Sequence, residues 1–303
     1  MSSNPFLGFI LLTHQNPKQI LRLIDRLNFM FDQPPIVCHH DFGQSKLPLS
    51  SVPQNLSFVS PHVKTEWGKW SLVEATLKAI KQLYSAYDPD WFILLSGTDY
   101  PIKPGRELLS DLRNTKFDAH ISSKKLVREE IDNPLDAGHF VRYNSFVFEY
   151  PSIFHLVQSI RKRKWVTERV RVKNPKFIRY LIPFSDTFHC YKGSQWFSAS
   201  RKAAEYILDF DASSKWVKNF YKGVDCPDES YFHIILNNNS DMKISTENWR
   251  YEDWEGMGAH PKELGAEDLQ KMIESNCHFA RKFNMRKKPD VLDRLDEIIG
   301  YEA

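Results

Sequence analysis

The stretch that decides the fold is Trp91-Phe92-Ile93-Leu94-Leu95-Ser96-Gly97-Thr98-Asp99-Tyr100-Pro101. Its first five residues are continuously apolar, as in a strand covered on both faces of a sheet. The small and polar residues after them predict a turn at the end of that strand. Similar apolar runs occur at 6–12, 35–38 and 56–59. Helical periodicity between these runs predicts strand–helix alternation, the pattern of a parallel α/β sheet.

Two helix starts are predicted within this first hundred residues. Asn16-Pro17 resembles an N-cap followed by proline at the first helical position. Ser71-Leu72-Val73-Glu74 has the spacing of a capping box, so we expect Ser71 to cap the second helix.

The predicted strand ends carry polar side chains. In sheets of this type, ligands bind beyond the carboxyl ends of the strands. Thr13 and His14 follow the first strand, Asp41 follows the second, and Gly97 and Asp99 follow the strand at 91–95. The pattern favours a ligand site at this edge without identifying the ligand.

Composition excludes several classes of protein. The 303 residues are 42% hydrophobic and 26% charged, which is ordinary for a globular protein. A net charge of +3 is too small to indicate a nucleic-acid partner. Aromatic residues make up 14% of the chain, a high fraction that suits sugar stacking, although most such rings lie in a core.

Cysteine spacing and the N-terminus together predict a cytoplasmic protein. Cys38, Cys190, Cys226 and Cys277 are widely spaced and form no CxxC pair. The apolar run at 6–12 is too short to cross a bilayer, and no positive n-region precedes it. Peripheral attachment at the inner face of the membrane stays open, although no amphipathic segment supports it.

We predict one domain over 1–303. Its parts are a first half at 1–103, a variable insert at about 124–186 and a second half at 187–303. The insert includes the basic run 161–164, which we interpret as a solvated helix face rather than a polyanion site.

Three common motifs are missing. No GxGxxG follows the first strand, and there is no P-loop, so a dinucleotide-dependent oxidoreductase or a kinase is disfavoured. Asp88-Pro89-Asp90 and Asp209-Phe210-Asp211 have DxD spacing, but they resemble turn and cap residues. We therefore expect no metal cofactor, and a bound diphosphate would have to be neutralised by cationic side chains.

Three segments in the last eighty residues carry the chemistry. Cys226-Pro227-Asp228-Glu229 places two acids after a proline, either to complement a helix dipole or to supply a general base. Asn248-Trp249-Arg250-Tyr251 reads as an extended segment, on which Trp249 and Tyr251 share one face, either as core residues or as a platform for a sugar or a base. Phe279-Ala280-Arg281-Lys282-Phe283 places two cations among apolar neighbours, and a buried cation requires an anion.

The segment that begins at Trp91 resembles the signature of the core-2/I-branching enzyme family of glycosyltransferases. Five further matches occur in the family's order. They are Gly68-Lys69-Trp70-Ser71, Lys192-Gly193-Ser194-Gln195-Trp196-Phe197, Pro227-Asp228-Glu229, Trp249-Arg250-Tyr251 and Phe279-Ala280-Arg281-Lys282-Phe283. The resemblance implies a GT-A-like fold, with a Rossmann-like, mostly parallel mixed sheet flanked by helices, and an inverting reaction that needs no metal.

The resemblance implies that 1–103 is a nucleotide-binding half and that 187–303 is a catalytic and acceptor half, and it also implies roles for individual residues. Glu229 falls on the catalytic base and Lys282 on a lysine that neutralises the diphosphate, with Lys262 or Arg281 as a second cation. Asp41 and His14 fall beside the nucleoside. The candidates for substrate binding are Asp99, Gly193, Ser194, Trp249 and Tyr251.

From this resemblance we expect transfer of a sugar, GlcNAc favoured, from a UDP-sugar to a hydroxyl of a glycan or lipid-linked saccharide. The alternatives are xylosyl or glucuronosyl transfer, or a non-catalytic carbohydrate-binding module. The chain departs from the animal enzymes in lacking their membrane anchor, stem and many cysteines, and its middle segment does not align with theirs.

Overall fold

The computed structural model describes residues 4–151, 167–173, 181–256, 258 and 260–301. Within these ranges the strands are β1 Leu7–Thr13, β2 Ile36–His40, β3 Leu56–Phe58, β4 Trp91–Ser96, β5 Tyr100–Pro101, β6 Ala119–Lys125, β7 Ser145–Pro151, β8 Thr167–Lys173, β9 Tyr191–Ser200, β10 Ile244–Ser245, β11 Arg250–Glu252 and β12 Phe279–Arg281. The helices are α1 Pro17–Phe31, α2 Trp70–Ala86, α3 Gly105–Asn114, α4 Pro134–Tyr143, α5 Arg201–Ser213, α6 Lys215–Lys222, α7 Tyr231–Asn237, α8 Leu269–Glu274 and α9 Asp290–Ile299.

The main sheet has seven strands in the order β10-β6-β9-β4-β1-β2-β3. β1 lies parallel to both β2 and β4, with Phe9 opposite Ile36 on one side and Ile93 on the other. β9 runs antiparallel to both of its neighbours, β4 and β6. The predicted mixed, mostly parallel α/β sheet flanked by helices is confirmed.

Each face of this sheet buries a separate hydrophobic core. Ile10 and Leu12 of β1 point to the core that α2 and α5 cover, because alternate residues of a strand face opposite sides. Phe9 and Leu11 point to the other core, which α1 and α9 cover. Cover on both faces explains why the strands have continuous apolar runs rather than alternating ones.

The two predicted helix starts have different outcomes. α1 begins at Pro17 as expected, although Asn16 lies in the left-handed region at φ 56° and its side chain makes no cap. α2 begins one residue before the expected cap, at Trp70. Ser71 Oγ instead accepts a hydrogen bond from Glu66 N at 2.9 Å, so the predicted capping box is wrong.

A second sheet of three strands, in the order β11-β12-β5, lies after the turn that ends β4. β11 pairs in parallel with β12, which aligns Glu252 with Arg281, and β12 pairs antiparallel with β5. This small sheet brings the C-terminal segments of the chain to the turn at 96–99.

The predicted insert contributes α4 and the antiparallel pair β7 and β8 to the part of the chain that the structure describes. The basic run 161–164 lies outside the described residues. None of the described helices combines the length and apolar character needed to cross a membrane.

Candidate active site

The carboxyl ends of β1, β2 and β4 lie side by side because these strands are neighbours in the sheet. Asp41 N donates a hydrogen bond to Thr13 O at 2.9 Å, which holds the chain beyond β2 against the end of β1. His14 lies exposed just after β1. The strand-end residues predicted to surround a ligand are therefore at one edge of the sheet.

Asp41 is a fully buried carboxylate that organises the surrounding loops. Its oxygens accept hydrogen bonds from Gly43 N at 3.0 Å, Gln44 Nε2 at 2.9 Å, and both N and Oγ1 of Thr65 at 2.8 Å. Burial opposes ionisation, but these donors outweigh it and hold the pKa of Asp41 at about 2. The side chain stays charged and fixes the loop at 61–65 over the strand ends.

His14 lies within electrostatic range of both Asp41 and Lys282. Although His14 is exposed overall, partial burial of its imidazole lowers its pKa, while the Asp41 carboxylate raises it and the Lys282 ammonium lowers it. Three residues from distant parts of the sequence, all predicted to hold the nucleoside diphosphate, are thus brought together.

Lys282 follows β12 and supplies the cation of this group. Its Nζ makes no hydrogen bond and no ion pair with the residues that the structure describes. Burial lowers the pKa of Lys282, and the neighbouring Arg281 lowers it further, against the opposing effects of Glu252 and Asp99. A partly desolvated ammonium without a carboxylate partner is suited to an anionic ligand.

Arg281 is already engaged by protein groups. Its Nη1 lies 3.1 Å from Glu252 Oε1, and its guanidinium stacks over the Trp196 ring at 4.7 Å from the centroid. Its Nε faces Asp99 Oδ1 at 3.7 Å, and neither of these two atoms has a hydrogen-bond partner among the described residues. Arg281 therefore contributes positive potential to the site, but its guanidinium group already contacts Glu252 and Trp196.

Asp99 is fully buried, so it does not line an open site as predicted. Its Oδ2 accepts a hydrogen bond from Ser96 N at 2.6 Å and a short one from Ser96 Oγ. Burial raises the pKa of Asp99, while Arg281 and Arg250 lower it. The carboxylate shapes the turn after β4 and orients Arg281.

Lys262 lies on the loop next to Lys282, and Lys282 N donates to Lys262 O at 3.4 Å. The ammonium of Lys262, however, forms an ion pair with Asp268 Oδ1 at 2.6 Å. Its charge is therefore balanced within the protein. Of the three cations predicted for the diphosphate, Lys282 is the one that lacks such a partner among the described residues.

Glu229 ends a 3-10 turn, Pro227–Glu229, that precedes α7. Its Oε2 accepts a hydrogen bond from Arg142 Nη1 of α4 at 3.1 Å, and 38% of its side chain is exposed. Burial raises the pKa of Glu229, Arg142 and Lys192 lower it, and Glu252 raises it, so the net direction is upward. An accessible carboxylate with a raised pKa is suited to accept a proton.

The neighbouring Asp228 has a different environment. It is 7% exposed, and its Oδ1 has no hydrogen-bond partner among the described residues. Burial, together with the charge of Glu229, raises the pKa of Asp228 to about 7. Of the two acids that the sequence left as alternatives, Glu229 is the more exposed and Asp228 is buried.

Sequence reasoning missed Glu252, although this residue acts on both the candidate base and the candidate cation of the site. Its carboxylate binds Arg281 and acts on the pKa values of both Glu229 and Lys282. Its place in the aromatic Tyr251–Trp254 stretch gave no signal, because a single acid there looks like a surface residue. Arg142 was also missed, because nothing in the sequence of α4 connects it to Glu229.

The aromatic platform predicted at Trp249 and Tyr251 needs correction. Trp249 lies before β11 in the left-handed region at φ 56°, so the segment is not extended at that residue. Its ring stacks on His120 at a centroid distance of 3.6 Å and meets the His278 ring edge-on at 5.2 Å. Trp249 and Tyr251 both pack against the second core, which makes the Trp249 ring chiefly a packing element.

Gly193 and Ser194 lie in the first half of β9, where the strand is partly exposed. A Cβ on Gly193 would lie 1.6 Å from Ser122 O and 2.5 Å from the His233 ring. Ser194 O lies 3.0 Å from Nε2 of the buried His233. The lack of a side chain at 193 lets β6, β9 and α7 approach closely, which is a structural role.

The two DxD-like segments are occupied by ion pairs. Arg201 binds Asp88 at 3.1 Å and Asp90 at 3.0 Å. Asp211 binds Lys218 at 2.6 Å. No cluster of three or more potential metal ligands occurs in the described part of the chain.

The sequence that forms this site matches a known protein family. The sequence model of the Core-2/I-Branching enzyme family matches residues 7–131 and 144–273. The chain belongs to this family. The match covers β1, the turn after β4 and the Glu229 segment, so the resemblance seen in the sequence is confirmed.

Two individual members of known families are similar in sequence to this chain. The chain is 30% identical over 220 residues to Beta-glucuronosyltransferase GlcAT14A of Arabidopsis thaliana, covering 69% of the chain and 42% of the relative. It is 25% identical over 265 residues to Xylosyltransferase 2 of Mus musculus, covering 80% of the chain and 27% of the relative. The chain thus spans less than half the length of either protein.

Among solved structures, the galactosyltransferase LgtC aligns with 97% of the chain and 95% of its own length, at 12% identity and a TM-score of 0.38.

Proposed function

We propose that this chain transfers a sugar, glucuronic acid or xylose, from its UDP derivative to a hydroxyl of a saccharide acceptor, with inversion at the anomeric carbon. Membership of the family and the names of its relatives support sugar transfer. Those names favour the glucuronosyl and xylosyl alternatives over the GlcNAc that the sequence suggested.

The observation that supports the proposal is that the Glu252 carboxylate acts on the pKa values of both Glu229, the candidate base, and Lys282, the candidate cation. Glu229 takes the proton of the acceptor hydroxyl as the acceptor oxygen bonds to the anomeric carbon. The bond from that carbon to the diphosphate oxygen breaks, and its electron pair leaves with UDP. Lys282 stabilises the charge that develops on UDP, in a partly desolvated site where such an interaction is strong.

The family resemblance supports placing uridine at the strand ends, beside His14 and Asp41. Asp41 keeps the loops at 43–44 and 65 in position, and His14 stays neutral near pH 7 because its pKa is lowered. A neutral imidazole can exchange hydrogen bonds with a nucleoside without adding charge.

The test is UDP release from UDP-glucuronic acid and UDP-xylose in the presence of saccharide acceptors and EDTA. Glu229→Gln should lower kcat by about 10²–10⁴-fold, the usual contribution of a general base, and leave UDP affinity within about threefold. Lys282→Ala should weaken UDP binding, whereas Lys287→Ala should not, because Lys287 pairs with Glu263.

Substantial transfer by Glu229→Gln would show that another group is the base. Unchanged UDP affinity in Lys282→Ala would remove the diphosphate assignment. Sugar binding without any turnover of either donor would favour the rival, a carbohydrate-binding module.

A further inference from the structure

Glu252 is the last residue of β11 and lies beside the cations of the candidate site. β11 pairs in parallel with β12, which places Glu252 opposite Arg281, and Lys282 is the next residue along the chain. The Glu252 carboxylate also lies within electrostatic range of Glu229. The anomeric carbon of a donor must lie between the base and the diphosphate, so Glu252 borders the space for the transferred sugar.

The carboxylate of Glu252 is held in place by two contacts. Its Oε1 lies 3.1 Å from Arg281 Nη1, and its Oε2 accepts a hydrogen bond from Trp254 Nε1 at 3.2 Å. The side chain is 12% exposed, so solvent screens its charge far less than it screens a charge on the open surface. Glu252 is therefore a fixed negative charge at the edge of the sugar space.

The described cations around the site are already engaged by protein groups. Arg281 pairs with Glu252, and Arg250 is buried and donates to main-chain oxygens. The remaining ion pairs are Arg142 with Glu229, Lys262 with Asp268 and Lys192 with Asp136. Of these described cations, only Lys282 lacks both a carboxylate partner and a main-chain acceptor for its side chain.

A UDP-sugar already requires the whole of this positive charge. Each phosphate of its diphosphate is negative, and Lys282 with the potential of Arg281 must balance both. Glucuronic acid adds a carboxylate where glucose has a hydroxymethyl group and xylose has a hydrogen. No cation described around the site is left to pair with that carboxylate, and Glu252 repels it. A neutral sugar avoids both penalties, because its hydroxyls can donate to a carboxylate.

We infer that Glu252 is a specificity-determining residue that excludes donors with a negatively charged sugar, so that the chain transfers a neutral sugar such as xylose rather than glucuronic acid. The inference rests on the proposed function and selects one of its two donor classes. Removing the carboxylate should open the site to glucuronate, because Arg281 would then be free to bind a carboxylate of the donor through its paired N–H groups.

The test compares UDP-glucose with UDP-glucuronic acid, which differ only in the oxidation state of C6, and includes UDP-xylose as a second neutral donor. Affinities are measured by isothermal titration calorimetry, and kcat/KM by UDP release. At least one neutral donor should bind the wild type about tenfold more tightly than UDP-glucuronic acid, equivalent to about 1.4 kcal/mol. Glu252→Gln, which keeps an oxygen acceptor for Trp254, should bring these affinities within about twofold of each other.

Glu255→Gln is the matched control. It removes the same charge a short way along the chain, at an exposed side chain that forms no ion pair with the described residues, and should leave the preference unchanged. The inference would be overturned if Glu252→Gln left the preference intact, or if Glu255→Gln reduced it equally. Equal or tighter binding of UDP-glucuronic acid by the wild type would also overturn it, whether or not a variant folds.

UDP alone is the probe that separates this inference from the proposed function. Absence of UDP binding by the wild type would reject the proposed function and the inference together. UDP binding combined with a preference for UDP-glucuronic acid would reject the role of Glu252 and leave sugar transfer in place.

Discussion

Replacing Arg142 by methionine should move the acid limb of the pH–rate profile to higher pH. Arg142 is the cation that contacts Glu229, and its positive charge favours the ionised carboxylate. The base must be ionised to accept a proton, so activity is lost as the pH falls through its pKa. Removing Arg142 raises that pKa further and reduces the ionised fraction at any acidic pH.

The size of the change follows from the geometry. Two charges about 4 Å apart near a protein surface attract by about 4 kcal/mol at an effective dielectric constant of ~20. The two side chains are 30% and 38% exposed, so solvent screening reduces the effect to about 1 kcal/mol. This corresponds to about 0.7 pH unit, at 1.36 kcal/mol per unit.

The measurement is kcat/KM for transfer between pH 4.5 and 8, because this ratio reports the base in the free enzyme. Arg142→Lys should keep the wild-type limb within about 0.3 pH unit, since it preserves the charge. Lys215→Met, at an exposed position of α6, controls for net charge. An acid limb that stays in place in Arg142→Met, or moves to lower pH, would refute either the role of Glu229 or its coupling to Arg142.

Two further predictions concern stability. Gly193→Ala should lower the free energy of unfolding by about 3 kcal/mol, measured by urea denaturation, because the added Cβ would overlap Ser122 O. Gly138→Ala is the control and should cost no stability, because a Cβ there meets nothing within 4 Å. Equal effects of the two substitutions would contradict the close approach of β6 and β9. Lowering the pH from 7.5 to 5 should reduce stability. Burial holds the pKa of His233 at about 3 and that of His120 at about 4, so these imidazoles stay neutral in the folded protein, whereas the unfolded chain takes up the protons near pH 6.5. A urea midpoint that does not fall between pH 7.5 and 5 would contradict neutral buried imidazoles.

The parallel strands could be predicted from the sequence because burial on both faces leaves a continuous apolar run. The runs at 6–12 and 91–95 correspond closely to β1 and β4. The start of α2 could not be predicted from the sequence, because Ser71 has the spacing of a cap but its Oγ accepts a hydrogen bond from Glu66 N. A capping pattern specifies a local hydrogen bond, and tertiary packing can redirect it.

The candidate site was predictable where one segment carries the signal. Glu229 and Lys282 each occupy a recognisable motif, and the structure leaves both partly exposed. Arg142 and Glu252 depend on contacts between segments far apart in the chain, which spacing does not encode. Trp249 shows the converse error, because its alternation with Tyr251 on an expected extended segment suggested a platform, whereas His120 stacks on its ring.

The central position of antiparallel β9 has a consequence for synthesis of the chain. β4 is apolar along its length, and its second edge is completed only when residues 191–200 pair with it. The interval from residue 96 to residue 191 is 95 residues, which a ribosome covers in about 5–20 s at ~5–20 residues per second. During that time the nascent sheet has an open hydrogen-bonding edge, so a pause in translation across the middle of the chain would favour aggregation and recruitment of chaperones.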